Sequence, residues 1–382
     1  MSWRTSSRAQ SEVRVREPGR WPAPVPIDPP HCFAPGDFRA ASPCRGASPS
    51  KRRAHLRSFL MSTRQPAPVP HLYLLAFDER HSFENALLGL SGPPTPDEAE
   101  AIRHMKTLIY TGFRLALRRG VKHDGTGILV DGQYGNNVAR QALEEGILLA
   151  MAAEKNGQEE LDLGEGACVG PHIETFDPAF TQARVRYNPE DEQVINARRT
   201  ERLALLTEWL QAHGRRFLLE LRVPATQAQL EALGGDEDRY DHELRPSLVV
   251  RAMSELQAGG VEPDIWMLES LDRTEDCLRV ALQAREGGRE HVSCIILDHH
   301  ADWEGLERCL RVAAPIPGFI GFALGRTLWW EPLQALHQRQ LTAAEAAQRI
   351  CDNYQRALLL WNEALLRSDC QRSAMQQEVA PS

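Results

Sequence analysis

From residue 72 onward the chain repeats one pattern. A short, mostly apolar run ends in a charged residue, and a longer stretch follows with apolar positions three and four apart. The short runs are LYLLAFD (72–78), GILVD (127–131), ILLAMAAE (147–154), ARVRYN (183–188), FLLELRV (217–223), IWMLE (265–269), VSCIIL (292–297) and GFIGFAL (318–324). Runs that are apolar at nearly every position suit strands covered on both faces, whereas a half-solvated sheet alternates. Helices are predicted between them. One covers 97–119, with Thr95 as N-cap, Pro96 at the first position, Glu98 completing a capping box and Gly120 ending it. Others cover 192–213, with Ile195, Leu203, Leu206 and Trp209 at helical spacing, and 246–258. Thr226 with Gln229 reads as another capping box, and Thr342 with Glu345 opens a last helix reaching about 366. Eight strands alternating with helices predict a (β/α)8 TIM barrel, class α/β. A doubly wound open sheet is the structural alternative, but no G-x-G-x-x-G follows the first strand.

Residues 1–66 break the pattern. Prolines crowd them, no helical or strand period is sustained, and Lys and Arg outnumber Asp and Glu. Such a segment buries too little apolar surface to offset its ordering entropy. It reads as a disordered extension, and Met61 offers a second translation start just ahead of the first strand. The barrel is expected over 67–370, with a flexible tail over 371–382. The 382 residues are 42% hydrophobic and 25% charged, an ordinary globular balance. No stretch approaches the roughly 18 consecutive apolar residues of a membrane helix. A net charge of -8 argues against a general nucleic-acid binder. The eight cysteines are scattered without a C-x-x-C pair, which suggests reduced thiols and a cytoplasmic protein.

In a barrel the ligand site forms at the C-terminal ends of the strands. Those ends supply Asp78, Asp131, Glu154 with Lys155, Arg186 (with Arg184 before it), Glu220, Glu269, Asp298 with His299 and His300, and Arg326. Ionisable groups closing apolar strands are costly unless paired or solvated, so a polar cluster is expected at one mouth. Carboxylates can move protons, a lysine can act as a nucleophilic amine, and arginines match phosphate. The stretch GFIGFALGRTLWW adds a strand, Gly325, Arg326 and then the free amides of a helix start, an arrangement suited to an anion. Trp329-Trp330 reads as core, with a subunit contact in a homo-oligomer as the other option.

The blocks LYLLAFDERHSFE, LVDGQYG, AMAAEKNGQEE, VRYNPEDEQVINARRTERL, FLLELRVPAT, PDIWMLESLD and GFIGFALGRTLWW keep their order from residue 72 to 366. Together they resemble the 2-deoxy-5-keto-gluconate 6-phosphate aldolase-like domain family of myo-inositol catabolism. That domain is often fused behind 5-dehydro-2-deoxygluconokinase, and the kinase portion is absent from this sequence. More distantly the blocks are similar to class I tagatose-bisphosphate aldolases. The resemblance implies an aldehyde-lyase acting on a phosphorylated keto sugar. It implies catalytic roles for Asp78, Glu154, Lys155 and Glu220, and substrate or phosphate contacts for Gly325, Arg326 and Arg186. The strand-end positions add Glu269 as a proton shuttle and Asp131 and His299 as substrate contacts.

Two positions depart from the class I pattern. Its Schiff-base lysine falls on the sixth strand, where this sequence has Met267, and a thioether cannot form an imine. The phosphate loop expected after the seventh strand is replaced by Asp298-His299-His300-Ala301-Asp302. Three readings stay open. Lys155 supplies the amine in a cofactor-free carbon–carbon lyase; or His300 and Asp302, with His172, hold a divalent metal; or the barrel binds a sugar phosphate without catalysis.

Overall fold

The computed structural model describes residues 69–153, 169–298 and 302–379. Eight parallel strands close on themselves in sequence order: β1 (Leu72–Ala76), β2 (Thr126–Val130), β3 (Leu148–Ala152), β4 (Phe180–Arg186), β5 (Phe217–Arg222), β6 (Ile265–Glu269), β7 (Ser293–Leu297) and β8 (Phe319–Leu324). β8 returns to pair with β1, so the barrel has no open sheet edge, and the (β/α)8 expectation holds. The N-terminal extension and Met61 lie outside the described residues. Between and after the strands run α1 (Pro96–Arg118), α2 (Asn136–Glu144), α3 (Val169–Phe176), α4 (Gln193–Ala212), α5 (Gln227–Ala232), α6 (Arg245–Ala258), α7 (Thr274–Arg285), α8 (Trp303–Ala313), α9 (Arg326–His337) and α10 (Ala343–Val379).

The capping residues act as their spacing predicts. Thr95 accepts from the Glu98 amide while the Glu98 carboxylate accepts from the Thr95 amide, and Thr226 with Gln229 repeats the arrangement. Two boundaries differ from the sequence reading. β4 begins at Phe180 rather than 183, because Phe180 packs inside the barrel and Thr181 and Gln182 continue the ladder to β5. α10 continues to Val379, beyond both the expected end near 366 and the start of the expected tail at 371. It lies over the outside of the barrel, where Tyr354 donates to the Tyr73 carbonyl at 2.9 Å and Asn353 to the Leu328 carbonyl at 2.8 Å.

Alternation along each strand divides the core in two. Leu72, Leu74, Leu129, Leu218, Met267 and Ile295 fill the barrel interior, and the opposite parity packs outward under the helices. Gly321 permits the closure of β8 on β1, since a Cβ there would stand 1.9 Å from the Leu72 carbonyl oxygen. The four described buried cysteines, Cys277, Cys294, Cys309 and Cys351, are free, and burial pushes their thiols up.

One buried charge ties helix to strand ends. Lys106 sits in the apolar stripe of α1 between Ile102, Met105 and Ile109 and is fully buried. Its ammonium donates to the Phe77 carbonyl just past β1 and to the Asp131 carboxylate just past β2, and reaches the Glu79 carbonyl at 3.3 Å. The Phe83 ring lies 4.8 Å below it. Removing one partner of such a pair strands the other charge away from water. Lys106→Met should therefore destabilise the barrel by about 3–5 kcal/mol in urea unfolding, and Asp131→Asn in the same chain should recover part of the loss. A double variant no more stable than the single one would show that the stranded Asp131 charge is not the cause.

Candidate active site

The strand ends at the C-terminal mouth enclose a cavity of about 290 Å³. Its walls carry four carboxylates (Asp78, Glu79, Glu220 and Asp298) and three guanidinium groups (Arg184, Arg222 and Arg326). Parity explains the strand contributions. Gln182 and Arg184 on β4, and Glu220 and Arg222 on β5, share the inward face above the apolar interior. Met267 stands beside Glu220 in the β5–β6 register and is fully buried in the interior.

Glu220 is the centre of the polar layer. It is 1% exposed, and it accepts from Arg184 Nε at 2.7 Å, Arg222 Nε at 2.6 Å and Gln182 Nε2 at 2.8 Å. The outer nitrogens of both arginines reach onward, Arg184 to Asp78 at 2.9 Å and Arg222 to Glu79 at 3.4 Å. The result is a continuous chain, Asp78–Arg184–Glu220–Arg222–Glu79, around one side of the cavity. Burial would raise the Glu220 pKa, but the two guanidiniums overcome it and bring the group down to about 2. Asp78 goes the other way. Burial, opposed by Arg184 and reinforced by the charges of Glu220 and Glu79, lifts it to about 6. Two carboxylates separated in this way can divide the work, one remaining ionised while the other exchanges a proton near neutrality.

Across the cavity, Asp298 follows β7 and its side chain reaches the start of α9. Its carboxylate accepts from the Gly325 amide at 3.2 Å and the Thr327 amide at 3.0 Å. The helix-start amides expected to be free for an anion are thus already engaged by the protein, which corrects that part of the sequence reading. Burial pushes the Asp298 carboxyl up, and these two amides pull against it. Arg326 remains exposed, its guanidinium 4.7 Å from the Trp330 ring, and no carboxylate pairs with it among the described residues. Trp329 is core, donating from its indole nitrogen to the Ala76 carbonyl at 2.9 Å and stacking on Phe83.

The residues named from sequence fall into several places. Asp78, Glu220, Gly325 and Arg326 line the one cavity. Asp131 lies behind it, its carboxylate taken up by Lys106 and by the Gln133 and Tyr134 amides. Glu269 is buried at the end of β6 and accepts from the Val223 amide at 3.3 Å, outside the cavity wall. Arg186 is exposed at the tip of β4, and Arg184 occupies the cavity. Asp302 accepts from the Gly305 amide at 2.7 Å as the N-cap of α8. Glu154, Lys155, His299 and His300, and the side chain of His172, lie outside the described residues. No group of three metal-ligating side chains occurs among the described residues.

Sequence reasoning passed over Glu79, Arg222 and Lys106. Arg222 could have been found from its parity with Glu220, and Lys106 as a lone cation within an apolar helical stripe. Glu79 carried no signal, because a loop residue after a strand has no fixed parity.

The separation of the two carboxylates has a sign that can be checked. Asp78 is raised above its usual value, so its contribution to stability is present below about pH 4 and is lost as pH rises through about 6. Asp78→Asn should remove that loss, gaining on the native protein by on the order of 2–3 kcal/mol in urea unfolding between about pH 4 and about pH 8. Glu220 is depressed, so its contribution is present above about 4.5 and is lost as pH falls towards about 2. Parallel pH profiles for Asp78→Asn and the native chain would mean that Asp78 titrates normally.

Comparison with known proteins bears on the family. Two solved structures resemble the chain at 15% identity. A structural-genomics protein from Corynebacterium glutamicum covers 80% of this chain and 95% of its own, with a TM-score of 0.47. A fructose-bisphosphate aldolase from Slackia heliotrinireducens covers 84% of this chain and 94% of its own, with a TM-score of 0.46. No curated protein matches. The model of a bacterial family described as "uncharacterized protein conserved in bacteria (DUF2090)" matches residues 45–365, most of the sequence and the whole of the barrel's strand framework. The chain belongs to the DUF2090 family.

Proposed function

We propose that this barrel is an aldolase-like carbon–carbon lyase acting on a phosphorylated keto sugar, of the 2-deoxy-5-keto-gluconate 6-phosphate type that the sequence blocks suggest. The observation that carries the reading is the Asp78–Glu220 pair. Aldol cleavage requires a base to take the proton from a hydroxyl as the adjacent carbon–carbon bond breaks. Asp78, lifted to about 6 at the cavity wall, is ionised and able to accept that proton just above its pKa. Glu220 stays ionised and holds Arg184 and Arg222 in place. Arg326, free of carboxylate partners among the described residues, supports phosphate recognition at the rim.

Cleavage also requires a sink for the electrons left on carbon, and an iminium supplies one. The sequence has four lysines: Lys51, Lys106, Lys122 and Lys155. Lys106 is committed to Asp131, Lys122 is exposed before β2 at the opposite end of the barrel, and Lys51 belongs to the N-terminal extension. Lys155 follows β3 in sequence, and it is the amine this reading requires. A second reading, a sugar-phosphate-binding barrel without catalysis, is favoured by Met267, which fills the interior on β6 with a side chain incapable of forming an imine.

Borohydride reduction in the presence of a keto-sugar phosphate separates the readings. The lyase reading expects retro-aldol cleavage, a covalent mass increment on Lys155, and loss of both in Lys155→Arg. Cleavage abolished by a chelator without any trapped adduct would replace the imine with metal chemistry. Binding of the sugar phosphate without cleavage or trapping would establish the non-catalytic reading.

A further inference from the structure

The cavity wall carries more carboxylates than guanidiniums. Four carboxylates face three guanidiniums, and two of those guanidiniums, Arg184 and Arg222, are already engaged by Glu220, Asp78 and Glu79. Only Arg326 remains without a carboxylate partner among the described residues. The other donors suited to a phosphate, the amides of Gly325 and Thr327, are covered by the Asp298 carboxylate, one oxygen to each. The Asp298 carboxylate is therefore built into the same wall that Arg326 lines.

We propose that Asp298 is a specificity-determining residue that restricts the site to ligands with a single phosphate. This rests on the reading of the cavity as a sugar-phosphate site. A first phosphate is received by Arg326, whose guanidinium is held over the Trp330 ring. A second phosphate has no unoccupied cation among the described residues and meets the carboxylates of Asp298, Glu79 and Asp78. Within a partly dehydrated cavity, like charges repel much more strongly than in bulk water, and discrimination arises from that repulsion as much as from contacts to the accepted ligand. Asp298 holds its place because both oxygens are hydrogen-bonded to backbone that cannot move without displacing the start of α9. A bisphosphate would have to break both bonds before it could use the amides.

Fructose 6-phosphate and fructose 1,6-bisphosphate differ by one phosphate and provide the test, by titration calorimetry on the full chain. The native protein should bind the monophosphate at least about tenfold more tightly than the bisphosphate, the size expected of one unfavourable charge contact. In Asp298→Asn, which retains one acceptor for the amides and removes the charge, the ratio should fall to within about threefold. Arg326→Ala should weaken the monophosphate by about tenfold or more. Equal or tighter binding of the bisphosphate by the native chain overturns the proposal, as does failure of both sugars to bind or an unchanged ratio in Asp298→Asn. Equal or tighter bisphosphate binding by the native chain overturns the proposal even if the variant does not fold. The expected ratio without any retro-aldol cleavage would count against the lyase and leave the role of Asp298 standing.

Discussion

A carboxylate buried inside a barrel must be neutralised, and Glu220 sets the terms for everything around it. At 1% exposure it cannot be solvated, so the fold brings Arg184, Arg222 and Gln182 to its oxygens. An arginine has more donors than one carboxylate can use, and the surplus is directed outward, to Asp78 from Arg184 and to Glu79 from Arg222. Asp78 then sits in a field shaped by a fixed anion and a fixed cation. Its proton affinity is a consequence of how Glu220 is compensated, which links the interior packing of β4 and β5 directly to chemistry at the mouth.

The rest of the mouth is held by anchors that do not line it. Lys106 gathers the carbonyls after β1 and the carboxylate after β2, fixing the backbone from which Asp78 and Glu79 project. Trp329 ties the start of α9 to the Ala76 carbonyl, and Asp298 ties the same helix start to the end of β7. These contacts leave few polar groups on the wall uncommitted. A ligand therefore meets a preorganised surface whose charges are mostly balanced against one another, and Arg326 is the exception among the cations of the described residues there. Preorganised charge of this kind costs no rearrangement when a reaction develops charge of its own.

The barrel was legible because its signal is repeated. Eight apolar runs of strand length, with capping boxes at Thr95 and Thr226 between them, agree on one architecture even where a single boundary, such as that of β4, is misplaced. Asp78, Glu220, Gly325 and Arg326 were legible for the related reason that charge at the end of an apolar strand is unusual and a barrel gathers such ends. Asp131 met the same criterion yet lies behind the cavity, because the 23-residue helix α1 delivered Lys106 to it. Arg184 and Arg186 looked interchangeable in sequence, and only the height of the strand in the barrel separated the one that enters the cavity from the one at the exposed rim.

The amino-acid sequence alone therefore determined the order and type of elements, the inward parity of each strand and the kinds of ionisable group available at the mouth. These follow from local periodicity and from the cost of burying charge, both of which act between near neighbours in the chain. Which charges neutralise one another was decided only in three dimensions. Asp78 meets Arg184 across 106 positions of sequence, and Asp298 reaches Thr327 across 29. A carboxylate and a guanidinium carry no record of their partner until the barrel closes, because Coulombic pairing depends on distance in space, and distances between strand ends are set by the sheet as a whole.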